Sequence, residues 1–216
     1  MTIAIIGAGN VGRALATSLT GAGHSVLITS RDPEHAGAVA AETGARAIRS
    51  NAEAVAGADI VVLAVPFSSA ETIAAEIRDG VAGKVVVDAT NRMSFGANGP
   101  DIDTTASNAE EIAALLPGAK VVKAFNTLLA SNQSDPFAEG VQLDGFVAGD
   151  DADAKALVLD LIASLGLNPV DAGPLSRARQ LEGLAFLNIT LNMAHSGNWQ
   201  SGWKLVGAPV SVPAAT

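Results

Sequence analysis

Apolar residues come along this chain in short, dense blocks separated by polar turns. Residues 3–6, 25–29 (SVLIT), 59–65 (DIVVLAV), 84–88 (KVVVD) and 121–124 (VVKA) are β-branched or small with few polar interruptions. That is the pattern of strands buried on both faces of a parallel sheet. Weaker blocks at 45–48, 142–147 and 167–171 add three further strands. The stretches between them carry helical spacing. Val11, Leu15 and Leu19 form one apolar stripe. Residues 34–43 are Ala-rich and stop at Gly44, Asn51 is placed to cap a helix through 56, and further helices are predicted at 69–78 and 152–165. Another starts near Asn108 and closes at Pro117 and Gly118, and Pro174 opens a long one through about 194. Strand and helix alternate, which predicts a doubly wound, mostly parallel α/β sheet. Residues 91–107 and the tail after Gly207 show little periodicity and are expected as loops.

The first block runs into Gly7, Ala8, Gly9, Asn10, Val11 and Gly12, a G-x-G-x-x-G spacing between a strand and a helix. In that context each glycine has a task. Gly7 permits the tight turn, Gly9 lets a pyrophosphate reach the backbone, and Gly12 lets helix and strand pack closely. Amides at the helix N-terminus and its positive dipole end then hold the diphosphate. The fold class that follows is a Rossmann-type sheet over residues 1–173 with a short C-terminal helical extension, 174–216.

The end of the second strand selects the dinucleotide. Binders of NAD usually carry an acid there for the ribose 2′-hydroxyl. This chain has Thr29, Ser30 and Arg31. Two hydroxyls and a planar, bidentate donor suit a 2′-phosphate. Asp32 precedes Pro33 and reads as an N-cap with Pro at the first helical position. NADP is therefore expected over NAD.

At 216 residues, 49% hydrophobic and 16% charged, the chain has material for one α/β domain. Its net charge of −9 disfavours nucleic acid and anionic membranes as partners and leaves a small-molecule redox substrate. No apolar run is long enough to span a bilayer, and the first residues lead straight into a strand without a basic leader region, so a cytoplasmic protein is expected. With no Cys and no Tyr, thiolate catalysis, cysteine-ligated metals and a Tyr/Lys proton-transfer pair are all excluded, and no metal site is expected. Of the three His, His24 lies in a turn away from the expected crevice. That crevice should lie at the carboxyl ends of the strands. Four segments are expected there: 65–68, 88–91, 123–127 and 171–174.

These segments resemble the NADP-dependent oxidoreductases of the coenzyme F420 family. The resemblance rests on IAIIGAGNVGRALA, TSRDPE, ADIVVLAVPF, VVVDATN, SNAEEIAALLPGAKVVKAFNT and GPLSRARQLEGLAFLNI. The cytosolic domain of the STEAP metalloreductases is similar at a greater distance. The resemblance implies hydride transfer between the nicotinamide C4 of NADP and the C5 of the deazaflavin F420. No covalent nucleophile or acid–base group is required; two rings must be fixed face to face with water excluded. It places Ala64, Val65, Pro66, Ala89, Asn91 and Ala124 beside the dinucleotide. The ring space is assigned to Pro66, Phe67, Asn91, Phe125, Asn126 and Thr127, with Phe67 and Phe125 equally readable as core. His35 stands where the family often has a further basic residue near the 2′-phosphate. Arg92, Lys123, Arg177, Arg179 and Lys204 are candidate counter-charges for the acidic deazaflavin tail. The last helix, with Leu181, Leu184, Leu187, Ile189 and Leu191, is apolar beyond one face, which implies a homodimer. The alternatives are an NADPH-dependent flavin (FMN/FAD) or ferric-chelate reductase and a non-catalytic NADP-sensing protein.

Overall fold

The computed structural model describes residues 1–97 and 99–207, so the loop expected beyond Gly207 lies outside the described residues. The elements run β1 (Thr2–Ile6), α1 (Asn10–Gly21), β2 (Ser25–Thr29), α2 (Pro33–Thr43), β3 (Arg46–Ala47), α3 (Asn51–Ala56), β4 (Ile60–Leu63), α4 (Ala70–Ile77) and β5 (Val85–Asp88). There follow β6 (Met93–Gly96), β7 (Gly99–Ile102), α5 (Asn108–Leu115), β8 (Lys120–Lys123), α6 (Ala130–Ser134), β9 (Phe137–Ala138) and β10 (Val141–Gln142). The chain continues through β11 (Asp144–Gly149), α7 (Ala152–Ser164), β12 (Asn168–Gly173) and α8 (Ala178–Ala194).

Eight strands form the central sheet in the order β12-β11-β8-β5-β4-β1-β2-β3. Alternate residues of the inner strands feed two cores. Ile3, Ile5, Ile60 and Val62 pack with Leu15, Leu19, Val158 and Leu161 of α1 and α7 on one face. Ala4, Ile6, Val61 and Leu63 pack with Val55, Ile73 and Ile112 of α3, α4 and α5 on the other. A strand flanked by helices on both sides has no solvated face, which is why these blocks are apolar throughout. Local signals explain the helix starts. The Asp32 side chain accepts the Glu34 amide and Pro33 takes the first helical position. Ser107 and Glu110 form a capping box before α5. Gly44 ends α2 at φ +75°, a left-handed position that glycine adopts freely.

Three expectations change. The cap of α3 is Ser50, not Asn51. Residues 91–107 are not all loop: β6 and β7 pair as an antiparallel hairpin with Met93 opposite Ile102 and Phe95 opposite Pro100. Four-residue strands are too short for alternation to stand out in a sequence. The third change concerns direction. β3, β2, β1, β4, β5 and β8 are parallel, but β11 pairs antiparallel with β8, and β12 follows β11. Residues 171–174 therefore run back against the direction of β8 rather than out past its carboxyl end, with Gly173 level with Lys123 through Ala148. The chain returns from β8 to β11 through the short α6 and the β9–β10 hairpin, without the long helical crossover that would restore a parallel direction. Among the described residues no helix is long and apolar enough to cross a membrane.

Candidate functional site

The carboxyl ends of β1, β4, β5 and β8 stand side by side. Pairing of Ile6 with Leu63, Leu63 with Asp88 and Asp88 with Lys123 puts Gly7, Ala64, Ala89 and Ala124 on the next rung. Small side chains across four adjacent strand ends leave room above the sheet. A cleft of about 750 Å³ opens at this edge. It gathers Gly7, Ala8 and Gly9, then Thr29, Ser30, Arg31 and His35, then Ala64, Val65 and Pro66.

The three glycines have separate geometries. Gly7 has φ +110°, and a Cβ there would lie 2.3 Å from the Ala64 carbonyl oxygen. A Cβ on Gly12 would lie 1.9 Å from the Gly7 carbonyl oxygen, so Gly12 is a packing contact between α1 and the turn. A Cβ on Gly9 would meet nothing within 4 Å. Gly9 is also the N-cap of α1, and no side chain caps that end. The leading amides of a twelve-residue helix thus face open space with their dipole end positive. These features fit a diphosphate.

Beyond the glycines the cleft turns basic. Arg31 and Arg49 both line it, both are exposed, and neither joins an ion pair among the described residues. In a chain of charge −9 that is a local reversal of sign. Arg49 was not singled out from the sequence. It follows β3, a two-residue strand, and only the pairing of Leu27 with Arg46 brings it beside Arg31. Ser30 accepts the Asp32 amide and keeps its hydroxyl proton free to donate. Thr29 is 2% exposed and donates to Asn51, which in turn donates to Glu76. Its hydroxyl is thereby committed, so Thr29 shapes the loop rather than offering a donor to the cleft. The His35 ring N–H donates to the Ala8 carbonyl at 2.9 Å, tying α2 to the glycine turn.

The ring-space candidates separate. Asn91 and Asn126 exchange hydrogen bonds: the Asn91 amide donates to the Asn126 carbonyl, and the Asn126 amide donates to Asn91 Oδ1 at 2.9 Å. Asn126 Oδ1 is buried with no partner. Phe125 is 1% exposed and belongs to the core, but its φ of +64° is unusual for a bulky residue. The Gln133 amide donates to the Phe125 carbonyl and holds that turn. Thr127 is also buried. Phe67 turns away from the main cleft. It packs under Arg92, 5.1 Å from guanidinium carbon to ring centre, beside a depression of about 380 Å³ between α4 and α5.

Four of the five candidate counter-charges are paired within the chain. Arg92 pairs with Asp103 and Glu111. Lys123 is fully buried between Asp88 and Glu182, at 2.8 and 2.7 Å. Arg179 grips Glu110 with two bonds and Lys204 pairs with Asp144. Arg177 lies in the turn after β12, is exposed and joins no ion pair among the described residues. Partner carboxylates up to 69 residues distant in sequence decide this, and composition cannot identify them. The Arg179 guanidinium holds the Glu110 carboxyl down at about 2. Burial pushes Glu182 up, against the pull of Lys123.

The family model described as "NADP oxidoreductase coenzyme F420-dependent" matches residues 2–92. An F420-dependent NADP reductase of Methanothermobacter thermautotrophicus is 35% identical over 209 residues, covering 89% of this chain and 90% of that protein. Metalloreductase STEAP3 of Rattus norvegicus is 32% identical over 183 residues, but the chain spans only 36% of its length. The solved structure of a candidate F420-dependent NADP-reductase from Arthrobacter sp. FB24 superposes with a TM-score of 0.86 at 34% identity, covering 95% of this chain and 99% of that one.

Proposed function

The chain belongs to the coenzyme F420-dependent NADP oxidoreductase family, and from that membership we propose that it transfers hydride between NADP(H) and F420. The observation that carries the NADP half is the pair of unpaired arginines, Arg31 and Arg49, at the open end of a glycine-floored cleft. Gly7 to Gly9 and the amides opening α1 would hold the diphosphate. Arg31, Arg49 and the Ser30 hydroxyl would hold the 2′-phosphate. His35 keeps the glycine turn in place through Ala8.

The chemistry is one hydride passed between the nicotinamide C4 and the deazaflavin C5. This chain's part in it is positioning. Pro66 and Val65 wall the cleft, the Gly7–Ala64–Ala89–Ala124 rung lets rings lie close above the sheet, and the Asn91–Asn126 pair borders the ring space. Such an arrangement replaces acid–base groups with proximity and exclusion of water. The same reading divides the chain into a dinucleotide-binding part, 1–173, and an extension, 174–216, and places it in the cytoplasm.

A homodimer is part of the proposal. The inner face of α8 is partly polar, with Glu182, Asn188 and Asn192 buried, whereas Leu187, Leu191 and Met193 are each nearly half exposed. Apolar residues turned outward from a helix whose inward face is polar call for a partner surface.

NADPH carrying deuterium on the transferring C4 face should give F420 reduced and labelled at C5, read by mass spectrometry. Solvent hydrogen at C5, or reduction of FMN or FAD alone, would refute the deazaflavin reading.

A further inference from the structure

Asp88 and Lys123 are fully buried and Glu182 is 1% exposed, although they come from β5, β8 and α8. Lys123 Nζ donates to Asp88 at 2.8 Å, to the Thr90 carbonyl at 2.5 Å and to Glu182 Oε1 at 2.7 Å. The Thr90 amide donates to Asp88 at 2.9 Å, and Asn108 Nδ2 donates to the Thr90 hydroxyl at 2.9 Å. Glu182 Oε1 also accepts the Asn108 amide, and its Oε2 accepts the Arg92 amide at 3.1 Å. The amide, carbonyl and hydroxyl of Thr90 are all engaged, and Arg92 is held by its amide. Asn91 stands between these two fixed residues, with its own side chain locked to Asn126.

Stability does not ask for this arrangement. Apolar residues of similar volume commonly replace a buried ion triad at no loss. What the network specifies is the path of residues 90–92. We propose that Glu182 is a positioning residue for hydride transfer: held by Lys123, it grips the Arg92 amide from α8 and, with Asp88 fixing Thr90, sets the depth at which Asn91 meets the ring space. This inference rests on the reading that the Asn91–Asn126 pair borders the reacting rings.

Glu182→Gln tests it in the full chain. The amide can keep its oxygen towards Lys123 and Asn108, but then its NH₂ faces the Arg92 N–H, donor against donor. NADP affinity should stay within about twofold, because the diphosphate and 2′-phosphate residues lie elsewhere in the cleft. The single-turnover rate from NADPH to F420 should fall about 10- to 100-fold, the scale of a small misplacement at the reacting atoms. KM for F420 should change less. Amide hydrogen exchange at Arg92 should accelerate about tenfold or more, as loss of a charged acceptor implies, while amides of β1 keep their rates. A merely structural role would lower the melting temperature without dividing rate from affinity. A wild-type rate together with wild-type exchange at Arg92 overturns the proposal. Thr90→Val, which removes the acceptor for Asn108 and leaves the charges alone, should slow transfer in the same direction. If Glu182→Gln does not fold, a wild-type rate and exchange in Thr90→Val overturn the proposal instead. A wild-type protein that moves no hydride to F420 refutes the functional reading, and exchange at residues 90 and 92 then decides the hold by itself.

Discussion

Two glycines of the turn, Gly12 and Gly9, should respond to substitution in opposite ways. At Gly12 an added Cβ would sit 1.9 Å from the Gly7 carbonyl oxygen, a backbone atom that cannot swing aside. Gly12→Ala must part α1 from the turn, an overpacking cost of about 1–3 kcal/mol. For a chain of this size that lowers the melting temperature by several degrees, at roughly 2–4 °C per kcal/mol. Gly9 is the reverse case. Its φ of −71° and ψ of −169° suit a β-branched residue, and nothing lies within 4 Å of the added atom. Gly9→Val should therefore melt within a few degrees of the wild type. The valine would nevertheless fill the space a diphosphate needs. NADPH at a hundred times its Kd stabilises a folded binder by about 2.7 kcal/mol, or about 5–10 °C here. The assay is thermal melting with and without NADPH. The wild type should shift by that amount, Gly9→Val should not shift, and Gly12→Ala should start low. A Gly9→Val protein that keeps the full NADPH shift would refute the placement of the diphosphate, and an unaltered melting temperature in Gly12→Ala would refute the packing argument.

Arg31→Ala and Arg49→Ala should each weaken NADP by about ten- to a hundredfold, a charged hydrogen bond being worth roughly 1.5–3 kcal/mol, and should spare NAD; equal losses for both dinucleotides in a titration would sink the 2′-phosphate assignment. Glu110 is held at about 2 against an ordinary 4.5, first by its hydrogen bonds from Arg179 and then by those from Ser107; because Arg179 is exposed, only a fraction of that shift is its contribution to stability. A lowered carboxylate contributes fully above its unfolded value and loses the contribution as pH falls through the folded one, so urea melts should find Arg179→Ala slightly less stable than wild type at pH 7, with the gap closing between pH 4.5 and 2; a gap that persists at low pH speaks against this pair. Leu187→Glu with Leu191→Lys should leave the fold intact and halve the mass seen in sedimentation at micromolar concentration, and a wild type already monomeric there would end the dimer proposal.

Much of this protein is written locally. Residues 3–6 followed by Gly7, Gly9 and Gly12 specify strand, turn and helix, since the apolar run, the positive φ of Gly7 and the close approach of Gly12 to the Gly7 carbonyl all lie within one short stretch. Asp32 before Pro33 declares its helix in the same way, as does Gly44 at its end. The proposed 2′-phosphate site was legible as far as Ser30 and Arg31 reach. Arg49 became its companion only when β3 paired with β2. Strand direction after β8 was not legible, because apolar spacing is the same whichever way a strand runs, and the long return through α6 and the β9–β10 hairpin carries no sign of it. The fate of the cations was not legible either. Lys123, read as a possible ligand for an anionic tail, lies fully buried because Asp88 and Glu182, 35 and 59 residues away, converge on it. The sequence by itself determined the strand-turn-helix of the proposed dinucleotide site, through short-range sterics and hydrogen bonding. Only the tertiary structure decided which charges neutralise one another inside and which remain at the cleft, because a charge in a low-dielectric interior is tolerated only where distant segments bring it a partner.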